Sequence, residues 1–314
     1  MAPPPSARRR PGGDVRKRPQ PPPPSVRRGE WAIVLAAVLF GSTFVVVKDA
    51  VAAAEPVPFL SARFLIAALV LLPMARRRPP EPGLLFAAFW CALALLAGYV
   101  FQTVGLQYTT GSVSAFVTYL FVVIVPVMSA LFLRKAPSPW TAAGLVVATV
   151  GLVLLSGGVS SFGKGEWLTL GCAFSFAAHV VLLAHFSPRH DTWKLTCAQL
   201  AMVGGLLLVP GALAGGFAFP AGVWAAAAYT AVAASAGALG LQIWGQRLIG
   251  PSRTSLLLML EPVSAAVLGY LVGDRLGAGG VVGALLILAG IALAEVFGGR
   301  RATPAPFEPV PSLD

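Results

Sequence analysis

Residues 254–272 read TSLLLMLEPVSAAVLGYLV, an apolar run with a single charged side chain, Glu261, near its centre. At ~1.5 Å per residue, a helix of this length spans about 28 Å, close to the ~30 Å hydrocarbon core of a bilayer. A carboxylate at mid-membrane costs on the order of 3 kcal/mol unless it faces protein or water. The run therefore predicts a transmembrane helix, and Glu261 becomes a candidate functional residue.

The whole chain has the composition of a membrane protein. Its 314 residues are 57% hydrophobic and only 11% charged, whereas a soluble domain has about 25% charged residues. Ten apolar segments are long enough to span as helices, and they lack the short alternating pattern of barrel strands. The segments cover residues 31–50, 57–75, 84–105, 112–133, 138–156, 166–186, 193–215, 221–246, 252–272 and 279–298.

The basic residues indicate how these segments are oriented. Eight of the 23 Lys and Arg residues lie in the first 28 positions, and with the N-terminus inside only Lys164 and Arg275 fall in outer loops. This asymmetry predicts an even number of spans with both termini cytoplasmic, and it argues against nucleic acid as the partner of a chain with net charge +11. Residues 52–54 (AAA) resemble a signal-peptide cleavage site, but cleavage would break this pattern, so we expect the first segment to be retained. The Pro-rich residues 1–29 and 300–314 are expected to be disordered tails.

The two halves of the chain resemble each other. A shift of 139 residues lays 105–156 over 244–295 without a gap, and a shift of 136 aligns the starts of the halves. Loop charges change sides under the first shift, as expected when a five-helix unit is duplicated and inserts in the opposite sense. The sequence thus predicts two inverted five-helix repeats, residues 30–157 and 158–299. Aligned pairs include Gly144–Gly283, Gly151–Gly290, Phe40–Phe176 and Arg63–Gln199.

Short motifs spread over residues 31–298 carry a resemblance to a known family. They are FGSTF at 40–44 with Lys48, SARF at 61–64, LQYTTG at 106–111, EPV at 261–263, and Gly283 with Gly290. In their order along ten segments they resemble the EamA-type drug/metabolite transporter family. The resemblance implies an all-α integral membrane fold of ten helices in two inverted repeats, which moves small metabolites by alternating access without a cofactor.

Glu261 leads the candidate site residues because Pro262 follows it directly. Proline removes a backbone donor and loosens the preceding turn, and a carboxyl group beside such a break can bind a cation or carry a proton. The alternative is that Glu261 only fixes helix packing. His179 is predicted at a similar depth, where it could relay protons with Glu261 or make an ordinary interhelical hydrogen bond.

Two cations near the outer ends of the first two segments are candidate anion ligands. Lys48 and Arg63 together could hold a carboxylate or phosphate, although both side chains could instead snorkel to the interface. Polar and aromatic side chains elsewhere in the segments are candidate cavity walls. These are Gln102, Tyr119 and Gln242, with Trp90, Tyr99 and Trp244.

The glycine pairs predict close packing between the fifth and tenth segments, because small residues seven apart lie on one helix face. A homodimer contact through the same glycines is the weaker alternative. The cysteines Cys91, Cys172 and Cys197 are too widely spaced for a metal or disulfide motif and are expected to be packing residues.

These features favour a secondary transporter in the inner or plasma membrane, which exports small organic metabolites such as amino acids or drugs and uses Glu261 as a proton or cation carrier. No nucleotide-binding motif is present, so ATP is not expected to be the direct energy source. A lipid flippase keeps the same fold with another substrate. An integral-membrane lipid-modifying enzyme is a further alternative, but no catalytic or metal grouping emerges from the three His residues, so an enzyme is not predicted.

Overall fold

The computed structural model describes residues 24–105, 108, 109, 114, 117–156, 163–271 and 277–298, and within these ranges the chain is helical with no strand. The first half contains α1 (Pro24–Ala53), α2 (Pro56–Arg76), α3 (Leu84–Gly105), α4 (Phe121–Leu133) and α5 (Pro139–Ser156). The second half contains α6 (Lys164–Phe186), α7 (Thr192–Leu206), α8 (Leu208–Leu213), α9 (Ala221–Thr230), α10 (Leu239–Ile249), α11 (Pro251–Leu258), α12 (Leu260–Leu271) and α13 (Ala278–Leu293). A 3₁₀ turn covers Ser187–Arg189, and π-helical turns cover Ala231–Ala238 and Ala294–Gly298.

The helices are apolar on the outside of the molecule as well as inside. Among the described residues, five helical stretches are long and apolar enough to cross a membrane: Pro56–Arg76, Leu84–Gln102, Lys164–Arg189, Thr192–Leu213 and Ala221–Ile249. Shorter apolar helices cover Val117–Leu133, Pro139–Leu155 and Ala278–Leu293. Large side chains such as Leu131 and Phe132 are 71% exposed, which suits lipid and not water. The chain is therefore a multi-pass membrane protein.

The first helix begins earlier than the sequence predicts. Residues 24–29, assigned above to a disordered tail, form the first turns of α1. Proline is favoured at the first helical position, and Gly29 lets these turns approach α10 closely. A Cβ at Gly29 would lie 2.8 Å from the Leu248 Cβ. The other residues of the two predicted tails, 1–23 and 300–314, lie outside the described ranges.

Two of the segments predicted as single helices are broken four residues before a proline. α7 ends at Leu206, four residues before Pro210, and α11 ends at Leu258, four residues before Pro262. A proline has no N–H with which to bond the carbonyl four residues earlier. Pro73 and Pro126 lie inside α2 and α4 without such a break, so the break also depends on the surroundings.

The main contacts that helices of the first half make with the second half have counterparts in which the two halves change roles. Helix α1 packs on α10 and α12, and α6, its counterpart in the second half, packs on α3 and α4. Helices α2 and α7 pair with each other, as do α5 and α13. This exchange of partners is what a pseudo-two-fold relation between two five-helix repeats produces.

The contact between α5 and α13 depends on four glycines. A Cβ added to Gly151 would lie 2.6 Å from the Gly283 carbonyl oxygen, and one added to Gly290 would lie 2.5 Å from the Gly144 carbonyl oxygen. Real Cβ atoms do not approach oxygen this closely, so these positions exclude side chains. The packing predicted from the glycine spacing is confirmed.

The buried apolar side chains of the described residues form three clusters. The first is built mainly on α4, α5, α6 and α11 to α13, and the second mainly on α2, α3, α7 and α10. A third and smaller cluster joins α1, α2 and α9. Phe40 of α1 and Phe176 of α6 pack against both of the larger clusters. These two residues are aligned by the 136-residue shift between the halves. We call the boundary between the two larger clusters, where Phe40 and Phe176 contact both, the seam.

A network of charged residues joins the α2–α3 loop of the first half to the start of α7 in the second. The Glu81 carboxylate accepts a hydrogen bond of 3.0 Å from the Asp191 N–H and lies 3.2 Å from His190 Nδ1. Lys194 Nζ lies 3.8 Å from the same carboxylate, and Arg78 Nε lies 3.7 Å from Asp191. We call these five residues the loop network.

Candidate functional site

Glu261 lies in the first turn of α12, directly after the break in the ninth apolar segment. The Met259 N–H turns back to the Leu256 carbonyl at 3.0 Å, so the regular ladder stops there. The expected break beside Pro262 is present, directly before the start of α12. Such a helix start favours a negative charge nearby. The backbone thus supplies a polar setting for Glu261 in the middle of an apolar segment.

The same break recurs in the first half, where it carries no charge. The Leu120 N–H bonds the Val117 carbonyl at 3.2 Å, and the shift of 139 places Leu120 on Met259. Glu261 falls on Val122, a fully buried apolar side chain. Duplication therefore explains the break, whereas the carboxylate belongs to the second half alone.

The first helix approaches this break through Gly41, the glycine of the FGSTF motif. A Cβ at Gly41 would lie 2.8 Å from the Glu261 carbonyl oxygen and 3.0 Å from the Ala265 backbone nitrogen. Neither backbone atom can give way without moving α12, so the position requires glycine. The motif therefore holds α1 against the helix that carries the carboxylate.

Polar side chains from the first half surround the Glu261 carboxyl group. The Tyr119 hydroxyl lies within hydrogen-bonding range of it, and the Arg63 guanidinium lies within electrostatic range. Tyr119 and Arg63 are buried, whereas Glu261 is half-buried. The structure thus brings together three of the predicted site residues, which come from α12, α2 and the turn before α4.

Arg63 is anchored by a residue that sequence reasoning missed. Its Nε–H donates a hydrogen bond of 2.8 Å to Ser235 Oγ. Ser235 lies in the π-helical stretch Ala231–Ala238, in the run AVAASAGA, which offers no sequence signal for a ligand contact. A faint signal exists in the repeat alignment, because the 136-residue shift places Tyr99 on Ser235, and Tyr99 also lies within hydrogen-bonding range of Arg63.

Aromatic rings form one wall beside Arg63. The Arg63 Cζ atom lies 5.5 Å from the Phe64 ring centre and 5.8 Å from that of Tyr99. Tyr99 meets Phe64 and Phe176 edge to face, with ring centres 5.1 and 5.5 Å apart. Gly98 makes room for Phe176, since a Cβ there would collide with the ring. Because Phe176 marks the seam, the charged group and its wall lie between the two larger apolar clusters.

Gln102 lies next to this site, through a chain of weak polar contacts. Its Nε2 donates to Thr118 Oγ1 at 3.5 Å, and Thr118 Oγ1 lies 3.8 Å from Cys172 Sγ. Cys172 is in turn within electrostatic range of Tyr99. This arrangement supports the predicted lining role of Gln102 and places a buried thiol near the site.

The other predicted site residues lie elsewhere or outside the described part of the structure. His179 Nε2 lies 2.9 Å from Gln199 Oε1, and both side chains are buried. The ordinary interhelical hydrogen bond is therefore the reading that the structure supports, and not the His–Glu relay. Gln242 is buried in α10, and none of the described contacts connects it to Glu261. Lys48 belongs to α1, but its side chain is not among those described.

Trp90 and Trp244 are partly exposed, at 42% and 40%. Trp90 lies in a group of exposed rings with Phe86 and Phe89. The role of the two indoles as cavity walls stays a prediction. Within the described ranges, no three His, Cys, Asp or Glu side chains converge to hold a metal ion.

Comparison with known proteins gives this geometry a family. The EamA-like transporter family matches the chain twice, over residues 27–157 and 163–295. An uncharacterized transporter of Archaeoglobus fulgidus is 36% identical over 167 residues, which cover 53% of this chain and about half (52%) of that relative. A second uncharacterized transporter of the same organism is 28% identical over 273 residues, or 86% of this chain and 97% of the relative. The uncharacterized transporter YyaM of Bacillus subtilis is 26% identical over 209 residues, 61% of this chain and 67% of the relative.

A solved structure supports the fold. A crystal structure described only as that of a protein superposes with a TM-score of 0.74 over 86% of this chain and 98% of its own, at 18% identity. At this identity the likeness concerns the arrangement of helices alone. The two family matches cover most of the chain and agree with the exchange of contacts between its halves. The chain therefore belongs to the EamA-like transporter family and is a membrane transporter.

Proposed function

We propose that the chain is a secondary active transporter that exports small organic metabolites across the inner or plasma membrane. In this proposal it works by alternating access, with Glu261 as proton carrier. The observation that carries the proposal is the position of Glu261, a carboxyl group at mid-segment beside a helix break and close to Tyr119 and Arg63. An intramembrane carboxyl group of this kind is costly unless it serves a pathway.

The architecture that goes with this proposal is ten spans in two inverted repeats, residues 30–157 and 158–299, with both termini cytoplasmic. Exchange of helix partners between the halves supports it, as does the distribution of basic residues. In inverted-repeat transporters the site lies at the repeat interface, where rocking of the repeats exposes it to each side in turn. The seam, with residues from both halves, suits that role.

The proposed coupling is tested by replacing Glu261 with glutamine. A solute is first found by thermal-stability screening of the purified full chain against a metabolite library, and its uptake is then followed in proteoliposomes with and without an imposed pH gradient. We expect the Glu261→Gln protein to exchange labelled for unlabelled solute but to lose the response to the gradient, because glutamine keeps the shape and carries no exchangeable proton.

Glu166→Gln is the matched control, since Glu166 caps the start of α6 through the Gly163 N–H and lies far from the seam. The gradient response of this variant should equal that of the unmodified protein. If Glu261→Gln also keeps its full response to the pH gradient, Glu261 is not the proton carrier.

A further inference from the structure

We infer that the solute is a small organic anion, a carboxylate on an apolar body, which binds to Arg63 and is carried together with a proton on Glu261. This inference rests on the proposed transport function and names the substrate class and the sign of the coupling. It follows from the hydrogen-bond donors of Arg63, from the charges at the seam and from the rings beside them.

The donor count at Arg63 calls for an anionic acceptor. A guanidinium has five N–H donors in a planar fork. Ser235 takes the one on Nε, and Tyr99 is the other hydroxyl in range. Among the described residues no other side chain accepts a hydrogen bond from Arg63, so at least three donors remain on a side chain that is only 5% exposed. A buried donor without a partner is costly, and a carboxylate satisfies two of them at once.

The charges at the seam disfavour a cationic solute. Among the described residues the two formal charges here are Arg63 and Glu261, and they oppose each other. The other titratable groups that face them are Tyr99 from α3, Tyr119 from the turn before α4, and Cys172 from α6. An ammonium group would have to lie beside the Arg63 cation, whereas a carboxylate is attracted to it.

The charges at the seam also explain why binding of the solute is expected to bring a proton with it. When a carboxylate neutralises Arg63, an ionised Glu261 would remain as an uncompensated anion next to a second anion in an apolar surrounding. Like charges in such a site disfavour each other's ionised form. Glu261 therefore takes up one proton as the carboxylate binds, and the loaded site carries the same net charge as the empty one. Solute and proton then cross together.

The wall beside Arg63 suits the rest of the solute. The rings of Phe64 and Tyr99 lie beside the guanidinium, and the ring of Phe176 packs against Tyr99. An apolar body of about the size of one ring fits against such a wall while its carboxylate reaches the fork. An electroneutral carrier of this kind moves its solute down the combined gradients, so export requires an outward solute gradient larger than the inward proton gradient.

The test is calorimetric titration of the purified full chain with acids and amines that share an apolar body. The probes are benzoate, phenylacetate and octanoate against benzylamine, phenethylamine and octylamine, in two buffers of different ionisation enthalpy. We expect at least one of the acids to bind with uptake of about one proton per molecule, and the amines not to bind. Arg63→Gln should weaken binding of that acid by about tenfold or more, and Ser235→Ala should weaken it less because the charge remains.

Glu261→Gln separates this inference from the proposed function. The variant should still bind the acid, but without proton uptake. The inference is overturned if no acid of the set binds, if the amines bind more tightly, or if binding takes up no proton in the unmodified protein. Those outcomes leave Glu261 as a proton carrier intact, because that role is judged by the pH-gradient response of Glu261→Gln. Each variant is first shown to elute as a single species, so that loss of binding is not loss of fold.

Discussion

Replacing Gly290 with leucine is expected to cost the folded protein on the order of 3 kcal/mol or more. The new side chain would point into α5, where a Cβ alone would lie 2.5 Å from the Gly144 carbonyl oxygen and 2.7 Å from the Ala148 nitrogen. Both are backbone atoms of a regular helix, so the contact can be relieved only by moving the two helices apart.

Separation of α5 from α13 would also open the neighbouring contact. Gly151 and Gly283 lie along the same interface, and the buried side chains of Ile287 and Leu152 belong to the cluster that this interface closes. A shift large enough to admit leucine removes apolar contacts along the whole pair of helices. The expected loss therefore exceeds the cost of a collision at one point.

Thermal unfolding of the purified protein in detergent measures the effect, with elution volume as a check on the folded state. Gly279→Leu is the matched control, because Gly279 lies on the same helix and a Cβ there meets only the Leu154 oxygen at 3.9 Å. We expect the control to unfold close to the unmodified protein. Equal melting temperatures for Gly290→Leu and Gly279→Leu would show that the two helices do not pack through these glycines. Gly144→Leu combined with Gly290→Leu should cost less than the sum of the two, since one displacement relieves both.

The glycine contact could be predicted from sequence because helical periodicity is local. Two glycines seven residues apart lie on one face whatever surrounds them, and the repeat alignment identified the partner helix. That Arg63 and Tyr119 lie close to Glu261 could also be predicted in part, from the polarity of the three side chains. A charged or polar group in an apolar segment must turn towards protein, so such residues tend to converge.

Contacts that depend on helix rotation could not be predicted in this way. His179 and Glu261 have similar depths in their segments, but depth does not fix which way a side chain points, and His179 turns to Gln199. Ser235 is a small residue in an alanine-rich run, and it reaches Arg63 in a stretch where π-helical turns change the rotation per residue. The early start of α1 depends on a close contact between Gly29 and α10, which no local pattern shows.

Joining the loop network covalently is expected to stop transport completely. Alternating access by two repeats requires their connecting loops to part at one end of the molecule when the site opens there. The network joins the α2–α3 loop to the start of α7 through the Glu81 carboxylate, which the Asp191 N–H, His190 and Lys194 all approach. Lys194 Nζ also donates to the Pro79 carbonyl. Together these contacts link the two halves at this end.

The double variant Glu81→Cys with His190→Cys replaces two side chains whose polar atoms lie 3.2 Å apart, and thiol titration verifies that the disulfide has formed on oxidation. Uptake into proteoliposomes is measured before oxidation, after oxidation and after reduction. We expect uptake to vanish on oxidation and to return with the reductant, because a disulfide keeps its two Cα atoms within about 7 Å. Each single-cysteine variant serves as a control, and the native Cys91, Cys172 and Cys197 are buried and unpaired.

The cross-link also separates rocking of the repeats from a smaller movement at the site. If the halves rock as units, solute exchange and net uptake both stop on oxidation, while solute binding persists because the seam lies away from these loops. If only the break at Met259 moves, with α12 turning about it, the loops stay together throughout the cycle. A fully cross-linked protein that transports at the unmodified rate would therefore assign the alternation to α12 and the seam, and would remove the loop network from the mechanism.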